Sequence, residues 1–129
     1  MMKALTLAVA WAVFAPTASH ACGACAEDKI AATYDHATIE RAAARGDVMV
    51  FCAVTGPIAA QRLKDAAQRA HGVNAQSVRV SAQPAALSFA LDPREQSPQA
   101  AVDAIQAGLP KGTRLTALSA TGAAPGANR

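Results

Sequence analysis

The stretch 47–54, DVMVFCAV, sets seven consecutive apolar residues after one acid, between Gly46 and the turn-forming Thr55-Gly56-Pro57. A run this short, with β-branched and aromatic members, has the pattern of a strand covered on both faces rather than of a helix. Such a strand needs one layer of structure above it and another below. The rest of the chain is read for what it contributes to those layers. The same strand carries Cys52, one of three cysteines in the chain.

Residues 1–21 stand apart from any such fold. Lys3 opens a short basic region, residues 4–15 are apolar and include Trp11 and Phe14, and Pro16 breaks the run. Ser19 and Ala21 put small residues at the −3 and −1 positions of a cleavage site. This is the build of a secretory signal peptide, too short for a spanning helix. The expected mature protein begins at Cys22 and is periplasmic or secreted. A cysteine directly after the cut is where a lipoprotein is acylated, but Ser19 stands where that signal has leucine, so a lipid anchor at Cys22 is not expected. No second apolar run is long enough to cross a membrane. Without the leader, 11 basic residues stand against 9 acidic ones. They are scattered, with no run and no interleaved aromatic set, so nucleic acid is not an expected partner.

Residues 26–45 read as one N-terminal helix. Glu27 and Asp28 in its first turn and Arg41 and Arg45 in its last suit the helix dipole, and Gly46 suits a left-handed residue past its end. Ile30, Tyr34 and Ala37 share its apolar face. After the strand 47–54, Pro57 fits the first position of a helix running to about Ala70, with Ala59, Leu63, Ala66, Ala67 and Ala70 buried. Residues 77–81 alternate, Val78 and Val80 inward and Arg79 outward. Gln83-Pro84 marks a turn, and 85–91 is again nearly continuous in apolar residues. Ser97-Pro98 starts a helix that buries Ala101, Val102 and Ile105 and ends at Gly108. Residues 113–119 form a last strand, with Leu115, Ala117 and Ser119 alternating against Thr116 and Leu118. The Gly/Ala/Pro-rich stretch 120–129 is expected to be a disordered tail.

From 47 to 119 the order is β-α-β-β-α-β, that of a ferredoxin-like α+β sandwich. The expected organisation is a signal peptide (1–21), a Cys-x-x-Cys segment with the N-terminal helix (22–46), the ferredoxin-like domain (47–119) and the tail (120–129). This topology puts the first and third strands in the centre of a four-stranded antiparallel sheet, and those are the two uniformly apolar ones. A parallel pairing is allowed only between those central strands. The two helices of a bare unit cover one sheet face. The N-terminal helix is expected on the other, with Ile30 and Tyr34 against the face opposite Leu63 and Ile105.

The segment 47–119 resembles a heavy-metal-associated domain, the small ferredoxin-like module of copper chaperones, mercury-binding periplasmic proteins and metal-transporting ATPases. The likeness is carried by element order and spacing, by Ala70-His71-Gly72-Val73 followed by Ser77-Val78-Arg79-Val80, and by Ala107-Gly108-Leu109-Pro110 where that family has an Ala-Gly-Tyr step. The resemblance implies soft-metal handling. The family's Met-x-Cys-x-x-Cys between the first strand and first helix is absent. That junction reads CAVTGPI over 52–58, with Thr55 and Ile58 near the places of the two thiolates and Cys52 still inside the strand.

The chain has its own Cys-x-x-Cys elsewhere, at Cys22 and Cys25. A 20-residue helix spans about 30 Å and the strand about 26 Å. With only Gly46 between them they run antiparallel, which would bring the helix start to the strand's end. Cys22, Cys25 and Cys52 are therefore expected to converge, Cys25 within roughly 10 Å of the 52–58 segment. Two or three thiolates with no carboxylate nearby suit Cu(I) or, less selectively, Zn(II) or Hg(II), and Cys25 sits at a helix N-terminus that favours thiolate. A metal ion and a periplasmic protein partner are the expected partners, without enzymatic activity. Two other readings stand beside this one. The first is a partner-binding module whose cysteines form a disulfide, Cys22–Cys25 or one of these with Cys52; the second is thiol–disulfide exchange. The direction of Cys52 decides between a three-thiolate site and a Cys22/Cys25 pair with Cys52 as a buried hydrophobe. His36 reads as a surface or packing residue, Met49 as core, and His71 as a partner for a helix C-terminus.

Overall fold

The apolar run folds as β1 (Val48–Thr55), buried along all but its last residue. The computed structural model describes residues 25–121; the expected leader 1–21, residues 22–24 with Cys22, and the stretch 122–129 lie outside them. Three further strands join β1: β2 (Arg79–Ala82), β3 (Ala85–Leu91) and β4 (Arg114–Thr121). The sheet order is β2-β3-β1-β4, so β1 and β3 are central and β2 and β4 are edges. With helices α3 (Ala60–Arg69) and α4 (Pro98–Ala107) on the two crossovers, this is the ferredoxin-like arrangement of an α+β domain.

All three strand pairs are antiparallel, the central one included. The parallel pairing allowed between central strands is not made. The α3 crossover makes β2 run with β1, and the β2–β3 hairpin then turns β3 against it.

Alternation along β1 divides the core. Val48, Val50, Cys52 and Val54 pack on one side with Leu63 and Ala67 of α3, Val102 and Ile105 of α4, and Leu87, Phe89 and Leu91 of β3. Met49, Phe51 and Ala90 pack on the other side with Ala42, Ile30 and Ile39. The starting signal of α4 is read correctly: Ser97 accepts a hydrogen bond from the Ala100 N–H at 3.1 Å, and Pro98 is the first helical residue. Helix α3 starts three residues later than Pro57 suggested. The Pro57 carbonyl accepts from the Thr113 hydroxyl at 2.8 Å, so it is held by the α4–β4 loop rather than by a helical N–H. In β4 the register shifts between the partners of Phe51 and Cys52, which are Ser119 and Ala117. Leu118 is the extra residue of this bulge, and Ser119 therefore shares a face with Phe51 rather than with Leu115. The strand also runs on through Ala120 and Thr121, residues expected in the tail.

The second layer differs most from expectation. It is two helices, α1 (Ala26–Ala32) and α2 (His36–Arg45), separated by Thr33-Tyr34-Asp35. Asp35 causes the break. Its backbone is extended, and its carboxylate accepts from the Thr38 N–H at 3.3 Å and the Thr38 hydroxyl at 3.0 Å, an N-cap for a new helix. Tyr34, at the joint, is 55% exposed and does not pack on the sheet; Ile39 and Ala42 take the place expected for it. Ile30 packs on the second face as expected, and Gly46 closes α2 at φ 78°.

Arg79 latches this layer to the sheet. Read as outward-facing, it points towards the face that α2 covers and donates to Asp35 at 3.1 Å and to Thr38 at 3.1 Å. Ser88, fully buried on β3, adds a second tie by donating to the Thr33 carbonyl at 3.2 Å. The Asp35 carboxyl is held below its ordinary value of 3.8, first by the Thr38 hydroxyl, then by the Thr38 N–H and Arg79. A depressed carboxylate stabilises above its unfolded pKa and loses that contribution as pH falls through the folded value. Hydrogen exchange of the α2 amides, taken relative to the intrinsic rate at each pH, should therefore quicken below about pH 4 in the wild type. In Arg79→Ala it should already be fast at neutral pH, while the β1 amides change little. Equal loosening of β1 and α2 would show that the layer does not open separately. Among the described residues, no helix is long and apolar enough to cross a membrane.

Candidate functional site

Cys25 is exposed, with a free thiol. It occupies the N-cap of α1, where its carbonyl accepts from the Lys29 N–H at 3.2 Å and its side chain makes no capping bond. The sulfur is thus uncommitted, at the solvent side of the layer that covers the second sheet face. Cys22, three residues earlier, lies outside the described residues.

Cys52 is in a different environment. It is 1% exposed and belongs to the cluster of Val50, Val54, Leu63 and Ile105. Its side chain therefore points towards α3 and α4, through the sheet from α1. Burial alone pushes its thiol up to about 12, which suppresses the thiolate that a metal or a disulfide exchange partner would need. Of its two possible directions, the one observed leaves Cys52 a buried hydrophobe. Nor does one rigid helix as long as β1 carry Cys25 back along the strand, because α2 has only 10 residues, about 15 Å, before the chain turns at Asp35.

The loop after β1, where the resemblance would place a metal, is built for packing. Gly56 has φ 87° and sits against the backbone of Gly112, and Ile58 packs on the core. Thr55 donates to the Arg114 carbonyl at 3.5 Å. Beside it is a cavity of about 210 Å³ lined mainly by apolar side chains, among them Val54, Pro57, Ile58, Leu63 and Val80. Nothing in that loop offers a soft donor.

The remaining candidates have ordinary partners. Met49 is buried in the second-face cluster, as expected. His36 pairs on the surface with Glu40 at 3.0 Å, and His71, just past the end of α3, pairs with Glu95 at 2.7 Å. Among the described residues, no group of three or more His, Cys, Asp or Glu is placed to hold a metal ion. The polar network of Asp35, Thr38 and Arg79 was missed in the sequence, although Asp-x-x-Thr is a legible capping pattern. No family model, curated protein or solved structure matches the chain.

Proposed function

We propose that this is an exported soft-metal-binding protein whose ligands are Cys22 and Cys25, carried on the N-terminal arm of a ferredoxin-like domain. The observation that carries the reading is the contrast between the two described cysteines. Cys25 presents an uncommitted thiol to solvent, and Cys52 is withdrawn into the α3/α4 core. A pair of thiolates spaced by two residues suits a low-coordinate soft cation, Cu(I) first and Hg(II) or Zn(II) less selectively. The likeness of 47–119 to heavy-metal-associated domains supports the same chemistry, displaced here from the loop after β1 to the segment before α1. The leader supports a site of action outside the cytoplasm, with the mature chain starting at Cys22 or within a residue or two of it.

Anaerobic Cu(I) titration of the reduced mature protein, against a colorimetric chelator, tests this. Cys22→Ser and Cys25→Ser should each abolish tight uptake, whereas Cys52→Ala should keep it and lose only some stability. Uptake that depends on Cys52, or no uptake by the wild type, would overturn the proposal. In the latter case a Cys22–Cys25 disulfide in periplasmic protein, found by thiol counting, would identify the pair as structural or redox-active instead.

A further inference from the structure

A small cleft of about 70 Å³ lies between α2 and the 3-10 turn Ala75–Ser77, lined by Thr38, Arg41, Arg45, Asn74, Gln76 and Ser77. We infer that this cleft is a binding site for one tetrahedral oxyanion of the phosphate or sulfate class, held between Arg41 and Arg45.

The two arginines are one turn apart on α2, so their guanidiniums share a side of the helix, a spacing at which like charges repel. Among the described residues, Arg41 makes no ion pair. Its one hydrogen bond goes from a terminal nitrogen to the Thr38 hydroxyl at 3.3 Å. Arg45 gives only its Nε to Asp47, at 3.2 Å, and keeps its terminal nitrogens free. An anion between them would remove the repulsion, and the planar guanidinium forks match oxyanion geometry.

Of the other lining groups, two hydroxyls have spent their protons and the Asn74 amide keeps free donors. The Thr38 hydroxyl donates its proton to Asp35. The Ser77 hydroxyl donates to the Asn74 carbonyl at 2.6 Å and accepts from the Ala90 N–H at 2.7 Å. Asn74 Oδ1 accepts from the Gln76 N–H at 3.0 Å, which leaves the Asn74 amide NH₂ as its unused end. No carboxylate lines the cleft; Asp35 and Asp47, which bond to its lining residues Thr38 and Arg45, are paired with Arg79 and Arg45. The cleft is small, on the scale suited to one oxyanion. The site is independent of the cysteines.

The test is calorimetric titration of the mature protein with sodium phosphate at low, matched ionic strength. Saturable uptake of one ion per chain is expected. Arg41→Gln should weaken it about ten-fold or more, the effect of losing a charge-assisted hydrogen bond. Arg62→Gln, which removes the same charge from the opposite layer, should leave it unchanged. Co-sedimentation with vesicles of phosphatidylcholine and phosphatidic acid forms a second arm. Vesicle binding abolished by Arg41→Gln, without uptake of free phosphate, assigns the same site to a lipid headgroup. No saturable binding in either arm, or binding that Arg41→Gln and Arg62→Gln affect alike, overturns the inference.

Discussion

Replacing Phe89 by alanine is expected to lower the free energy of unfolding by about 3–5 kcal/mol, a large share of the stability of a domain this size. Phe89 lies on the central strand β3 with no exposed surface, directly across from Val50, and belongs to the cluster formed with α3 and α4. Both its neighbours in the sheet and the helices above it are tied at their ends by crossovers, so little can move into the space the ring leaves. Phe51 makes a useful comparison. It is 4% exposed but faces the second layer, where the buried apolar residues clustered with it are Ala42, Met49 and Ala90. That layer is two short helices with a joint at Asp35, tied to the sheet chiefly by the bonds of Arg79 and Ser88, and it has less apolar contact to lose. Phe51→Ala should therefore cost less than Phe89→Ala. Urea unfolding of the two variants decides it. A larger loss at Phe51 would mean that the N-terminal layer, not α3 and α4, supplies the main core.

Gly56→Ala should be the most damaging change outside the apolar core. At φ 87° the residue is in the left-handed region, where a side chain costs about 1–3 kcal/mol by itself. A Cβ there would also be driven into the backbone carbonyl of Gly112, which belongs to the loop before β4 and cannot swing aside as a side chain could. The two loops would have to separate, and the bond from the Thr113 hydroxyl to the Pro57 carbonyl would stretch with them. Gly46→Ala isolates the conformational part, because Gly46 has φ 78° and nothing within 4 Å of its added methyl. Thermal unfolding should rank the variants wild type, Gly46→Ala, Gly56→Ala in falling order. Equal losses at the two glycines would show that the contact with Gly112 yields freely.

Much of the fold was readable from short stretches. The apolar runs that became β1 and β3 announced their central positions, because a strand with neighbours on both edges and layers on both faces has no side for polar residues. Ser97-Pro98 and Gly46 marked helix ends through local geometry that depends on few neighbours. The break at Asp35 was also local, but the capping bond to Thr38 competed with a helical pattern that looked continuous in charge and apolarity. The start of α3 was hidden for another reason. Pro57 is a good first residue for a helix, and only the distant Thr113 shows that its carbonyl is used elsewhere.

The candidate site divides in the same way. Its chemistry was present in the sequence as a pair of cysteines two residues apart and a third inside a strand. The face on which Cys52 lies was not, because alternation cannot be seen in a strand whose residues are all apolar. Direction became visible only when register against β3 and the contacts of Leu63 and Ile105 separated the even positions of β1 from the odd ones. The latch of Arg79 onto Asp35 joins residues 44 apart, and the cleft of Arg41 and Arg45 needs the turn at Asn74 to close it. By itself, then, the sequence determined the strands and helices of 47–119, their order and which strands are central, since those follow from hydrophobic pattern and local backbone preference. Tertiary structure alone decided which side chains meet across the sheet and which thiol remains at the surface, since those depend on register and on the angle at which the helices pack.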